Sequence, residues 1–158
     1  MEIFFLLSLH GFRRVPKKIM SQRDLFLDNN MVEANFTITN KTKSTLPRVP
    51  FANMKNTVLG KDYSLSLVFI GETASAKLNN SYRQKNKPTN VLSFPLDKKT
   101  GEIFICIPVA QKEAPEFGRT LPNFIAFLFI HGLMHLKGLD HGNKMELAEI
   151  KIRDKFNI

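Results

Sequence analysis

FIAFLFIHGLMHLKGLDH, Phe124 to His141, is the stretch from which the rest of the chain can be read. Its first part, FIAFLFIHGLMHLK, is apolar nearly all round, the pattern of a helix buried at the centre of a domain. Thr120 can cap the start of that helix, and Pro122 is tolerated in its first turn, where no backbone donor is needed. Gly138 can end it, because glycine takes the left-handed conformation at little steric cost. His131 and His135 are four residues apart, so their rings share one helix face, one turn apart. If the chain turns back after Gly138, His141 reaches the same point. Three imidazoles meeting there can hold a divalent metal with a fourth position open, the arrangement of a catalytic rather than a structural zinc site. A lone histidine on an apolar helix is usually an ordinary core residue. Three of the chain's four histidines within eleven residues is a different signal, and the ordinary reading is kept for His10.

Outward from this helix, the chain alternates strands and helices. In ANFTIT, Phe36 and Ile38 take one face and Asn35, Thr37 and Thr39 the other, a half-buried strand. A short helix is expected from near Pro50, a second strand over SLSLVFIG (Ser64–Gly71), then a helix capped by Thr73 with Ala74, Leu78 and Tyr82 at four-residue steps. The basic loop RQKNKP ends it, and Pro88 prevents continuation. VLSFPL and EIFICIPV, joined by the turn residues DKKTG, predict a hairpin. Gln111 to Phe117 predicts a short helix closed by Gly118. Asn143 and Glu146 have the spacing of a capping box for a last helix, Lys144 to about Phe156. The expected fold is α+β: a small mixed four-stranded sheet packed with helices, with the metal site on the C-terminal central helix.

The chain has 158 residues, 43% of them hydrophobic, enough for one domain with a real core and too apolar for global disorder. The expected folded domain is 31–158. Residues 1–30 read as an N-terminal appendage, disordered or untranslated: their apolar run, Ile3 to Leu9, is too short to span a bilayer, and positive charge follows it instead of preceding it. No membrane association is expected. Net charge is +9, which favours polyanions, nucleic acid first. The one cysteine, Cys106, excludes an internal disulfide and sits in a stretch that reads as a buried strand, so a catalytic thiol is not expected there.

His131, His135, Gly138 and His141 match the metal-ligand spacing of the metzincin proteases, H-E-x-x-H-x-x-G-x-x-H. The protease glutamate, however, is Gly132 here, and glycine cannot take a proton from water. Either another carboxylate serves, Glu102 or Asp140, or the bond to be broken is not a peptide.

HGLMHLKGLDH resembles the histidine motif of the YbeY family of bacterial endoribonucleases. SYRQKNKPTNVLSFP (Ser81–Pro95) is similar to the family's tyrosine-arginine pair followed by a K-P-T-[DN]-V-L-S-F run, and GEIFICIPVA (Gly101–Ala110) resembles its third motif, a glycine and an acidic residue opening a strand. The three occur in family order, and the resemblance runs from about Met31 to the end. It implies a zinc-dependent, single-strand-specific endoribonuclease of the cytoplasm, one ion per chain. The implied role is 3′-end maturation of 16S ribosomal RNA and ribosome quality control, with contacts to a small-subunit ribosomal protein or assembly factor. It implies His131, His135 and His141 as zinc ligands and Arg83 as the arginine facing the metal across the cleft. Glu102 stands where relatives have an acidic residue.

A planar guanidinium such as that of Arg83 can clamp a phosphate through two parallel hydrogen bonds and stabilise transition-state charge. A surface arginine ending a helix is the ordinary alternative. Lys85, Lys87, Lys98 and Lys99 flank the same hairpin and could track an RNA backbone. Asp140 either orients a ligand imidazole or caps the turn after Gly138. Two other classes stay open: a peptidase that recruits Glu102 or Asp140, and a non-catalytic ribosome-assembly factor with a structural metal. On the nuclease reading the nucleophile is water or the substrate's own 2′-hydroxyl, with Gly132 expected to leave space beside the metal.

Overall fold

The apolar helix of Phe124–Leu136 is buried as its composition requires. The computed structural model describes residues 30–33 and 35–158. In chain order the elements are β1 (Asn30–Glu33), β2 (Phe36–Asn40), α1 (Phe51–Leu59), β3 (Ser64–Ile70), α2 (Glu72–Arg83), β4 (Val91–Asp97), β5 (Thr100–Cys106), α3 (Ile107–Glu113), α4 (Leu121–Leu136) and α5 (Asn143–Phe156). The expected appendage and His10 lie outside the described residues, apart from Asn30, which opens β1.

The sheet is mixed, as expected. It contains the four expected strands and a fifth, β1, on the edge, in the order β1-β2-β3-β5-β4. β1 pairs antiparallel with β2, β2 and β3 are parallel, β3 and β5 are parallel, and β4–β5 form the expected antiparallel hairpin. Pro95 is compatible with β4 because β4 is an edge strand, and a register irregularity follows it before Asp97.

The two faces of the sheet are covered differently. Phe36, Ile38, Leu65, Leu67, Phe69, Ile103 and Ile105 form the main core with α1, α4 and α5. Alternation along the strands puts Val68, Ile70, Phe104 and Cys106 on the other face, where Leu78 of α2 packs on them. α4 lies against β4 and β5, with α1 and α5 beside it. From Phe124 to Leu136 only Phe127 is half-buried; every other residue is buried.

Several boundaries differ from the sequence reading. β5 stops at Cys106 instead of running to Val109, and α3 begins at Ile107 with Pro108 in its first turn, where a missing N–H costs nothing. The helix expected over Gln111–Phe117 is the end of α3 plus a 3-10 turn, Ala114–Phe117, closed by Gly118 as expected. α2 starts one residue after Gly71, so Thr73 is inside the helix and not its cap. Its buried face carries Ser75 and Asn79, while Ala74 is exposed. α5 likewise starts behind Gly142, and no side chain caps it, so Asn143 and Glu146 do not form the expected box. Thr120 does cap α4, its side chain accepting from the Asn123 N–H.

Candidate metal centre

The end of α4 builds the site. Leu136 is the last helical residue and Lys137 its C-cap, Gly138 has φ of 86°, and two backbone bonds close the turn. The Gly138 N–H donates to the His135 carbonyl at 2.9 Å and the Leu139 N–H to the Met134 carbonyl at 3.0 Å, the paired pattern of a Schellman motif. That turn folds the Leu139 carbonyl back under His135, where it lies 3.0 Å from Nδ1. It also delivers His141: the three rings stand with centroids 4.7, 5.3 and 4.8 Å apart, and one ligand nitrogen from each lies within 4.8 Å of the others.

A hydrogen-bond inventory fixes which nitrogens point inward. A carbonyl oxygen only accepts, so His135 Nδ1 carries the proton and the neutral ring presents a lone pair at Nε2. His131 is set the same way by Glu149, whose Oε1 accepts from Nδ1 at 2.6 Å. The two Nε2 atoms then face one another at 3.0 Å, close enough to share one proton or one cation. With the outer nitrogens of His131 and His135 engaged and all three rings converging, the residues present fit a divalent metal ion. Burial first, and then the charges of His131 and His141, pull His135 down to about 4, so this ring is neutral at physiological pH, as a ligand must be. Burial and His131 also lower His141, with Glu149 and Asp140 opposing.

A cavity of about 320 Å³ opens beside these rings, lined among others by Phe127, His131, His141, Glu149 and Arg153. The family model described as Endoribonuclease YbeY matches residues 28–156, which span the sheet, the hairpin and all three histidines.

The chain belongs to the YbeY endoribonuclease family.

Relatives agree. The chain is 35% identical over 133 residues to an endoribonuclease YbeY of Acinetobacter baumannii, covering 73% of this chain and 84% of that protein. It is 32% identical over 141 residues to one from Moorella thermoacetica, covering 80% and 90% respectively. The solution structure of TM1509 from Thermotoga maritima is similar with a TM-score of 0.55 at 25% identity, over 74% of this chain and 85% of that one.

Other residues singled out in this YbeY-family sequence fall in different places. Gly132 does not face the cavity. A Cβ there would lie 2.8 Å from Ser93 Oγ and 3.0 Å from Ile103 Cδ1, so this glycine exists to let α4 approach the β4–β5 hairpin. The expected space beside the metal is therefore space beside the sheet, and the glutamate of the protease pattern has no room at this position. Glu102 alternates with Ile103 and so lies on the face of the sheet away from α4. Burial there raises its carboxyl above the usual range, with Lys41 partly opposing. Asp140 is exposed and acts on His141 through its charge; the outer nitrogens of His131 and His135 are held by Glu149 and Leu139 instead.

Arg83 ends α2, where its Nη1 donates to Asn79 Oδ1 at 3.1 Å. Asn79 in turn donates to the Lys87 carbonyl at 2.7 Å, and Ser75 holds Thr89 by two bonds, so the basic loop is clipped to the helix. Arg83 lines a cavity of about 260 Å³ with Lys85, Lys87 and Asn90, which shares no lining residue with the cavity at the histidines. Glu149 was missed by sequence reasoning. The available signal was a carboxylate four residues after Met145, on the face of α5 that is otherwise apolar.

Proposed function

We propose that this chain is a metal-dependent, single-strand-specific endoribonuclease, with zinc as the metal and His131, His135 and His141 as its ligands. The observation that supports this most directly is the pair of inward-facing Nε2 atoms, each fixed by a partner on its outer nitrogen. A divalent ion held there would supply the Lewis acidity needed for hydrolysis near neutral pH without a protease-type glutamate. The chain's own residues divide the remaining work. Glu149 and the Leu139 carbonyl orient two imidazoles and raise their basicity. His141, on the exposed loop, completes the set while leaving the cavity side open. Arg83 is proposed as a catalytic guanidinium that binds a substrate phosphate and stabilises its added charge.

The family and the charge of +9 support an RNA substrate; the proposed one is single-stranded RNA, in the cell the 3′ end of 16S ribosomal RNA, with ribosome quality control as the wider role. Contacts with a small-subunit ribosomal protein or assembly factor, and a cytoplasmic location, belong to the same reading. Among the described residues no helix is long and apolar enough to cross a membrane. A peptidase that recruits Glu102 loses support, because Glu102 lies on the face of the sheet away from α4, and position 132 has no room for the protease glutamate.

Metal analysis combined with cleavage of matched single-stranded and duplex RNA tests the proposal. Stoichiometric zinc and cleavage confined to the single strand are expected, both lost in His131→Ala. Cleavage by preparations with all three histidines replaced would overturn it. End groups distinguish the nucleophiles: water leaves ordinary phosphate and hydroxyl ends, whereas 2′-hydroxyl attack leaves a cyclic phosphate.

A further inference from the structure

Arg153 lines the same cavity as His131 and His141. Arg153 comes from α5 and places its Cζ 5.3 Å from the centroid of the Phe127 ring. Arg119, just ahead of α4, places its own Cζ 4.9 Å from the same ring. Phe127 precedes His131 by one helical turn and points the same way, and it is the one half-buried residue of the run from Phe124 to Leu136. Two cations thus converge on an aromatic ring at the edge of the histidine cavity.

Such an arrangement needs a counter-charge. Guanidinium stacking on an aromatic ring is favourable, but two guanidiniums on one ring repel. Burial, and then Arg153 beside it, lower Arg119 from its ordinary value. Among the described residues neither arginine has a carboxylate within salt-bridge distance. Arg119 donates one N–H to Asn123 Oδ1, which anchors it to the first turn of α4. Arg153 Nε is buried and has no hydrogen-bond partner. The two carboxylates lining the cavity do not fill the role. Glu149 is engaged by His131, and Glu146 lies seven residues before Arg153, two helical turns away along α5.

We infer that Arg119 and Arg153, stacked on Phe127, form an anion subsite that holds a phosphodiester of the RNA strand beside the histidine centre. The inference rests on the endoribonuclease reading and adds to it a place where the strand is gripped on the α5 side of the site. An alternating sugar-phosphate chain suits it, because the planar forks can each take two phosphate oxygens while a neighbouring group enters the cavity.

The experiment is fluorescence anisotropy of a short labelled oligouridylate titrated with the metal-loaded full-length protein, over a series of salt concentrations. Initial readings are taken before cleavage accumulates. Arg153→Gln and Arg119→Gln should each weaken binding by about threefold at moderate salt and reduce the slope of log affinity against log salt by about 0.7, the contribution of one phosphate contact on a single strand. Arg153→Lys, which keeps the charge, should keep the slope. Parental affinity and slope in a glutamine variant with parental Tm would show that the stack only clips α5 to α4, and would overturn the subsite. If the glutamine variants fail to fold, the arginine Nε–H resonances of the parental protein take their place. Those of Arg119 and Arg153 should move on adding the oligouridylate, and unmoved signals during saturable binding would again overturn the subsite. A parental protein that binds no oligouridylate would remove the endoribonuclease reading, and the subsite with it.

Discussion

His131 and His135 of the proposed metal site are each only as well placed as the group behind them, and those groups differ. Glu149 holds His131 with a carboxylate, whereas a backbone carbonyl holds His135. Glu149→Gln keeps the size of the side chain and removes the charge. We expect metal affinity to fall about 10–100-fold while the fold is retained, readable by competition with a chelator and by circular dichroism. A loss of metal affinity below twofold would mean that Glu149 does not orient the ring. His135 has a pH consequence. Its pKa is lowered to about 4 in the folded protein, below its unfolded value, so between those values the unfolded chain binds the extra proton. The metal-free protein should therefore keep this contribution above about pH 6.5 and lose it as pH falls towards about 4. Chemical denaturation of metal-free protein across that range measures it, and His135→Gln should flatten the profile. Gly132 gives a third outcome. Restoring the protease glutamate by Gly132→Glu should not produce a peptidase. It should instead press a carboxylate into the sheet at a cost of about 3–5 kcal/mol, seen as a large drop in Tm.

At the level of elements, the turn after α4 matters most. Gly138, with φ of 86°, supports both the Schellman bonds and the position of the Leu139 carbonyl. Gly138→Ala should cost about 1–2 kcal/mol from the left-handed backbone alone. It should also weaken metal binding although no ligand is altered, which equilibrium unfolding and metal titration on the same variant would separate. The elements show what the sequence made legible. α4 was readable because an apolar run with one glycine break has few structural solutions, and the hairpin was readable because DKKTG is turn chemistry. The clustering of His131, His135 and His141 followed from spacing along one helix and one turn. The partner of Glu149, and the meeting of Arg119 with Arg153, were not readable, because they depend on where α5 lies across α4, and that crossing is set by side-chain packing rather than by any local pattern. The caps of α2 and α5 failed for a related reason. Thr73 and Asn143 have cap chemistry, but the glycines before them already supplied the non-helical backbone that starts each helix.

Over the whole molecule, excess positive charge and the metal centre answer to different variables. Raising salt should weaken RNA binding steeply, by about 0.7 in log–log slope for each phosphate held, and leave bound metal unchanged. Both quantities can be followed in one preparation. The centre and the sheet are nevertheless tied mechanically at Gly132, where α4 rests on Ser93 and Ile103. Ser93 belongs to the run VLSFP and Gly132 to HGLMH, so two motifs far apart in the chain are the two sides of one contact. Their histories should therefore be linked. A side chain at position 132 is admissible only in a lineage that has first shrunk its neighbour on the hairpin, and a hairpin transplanted from a distant relative must bring its matching helix residue with it.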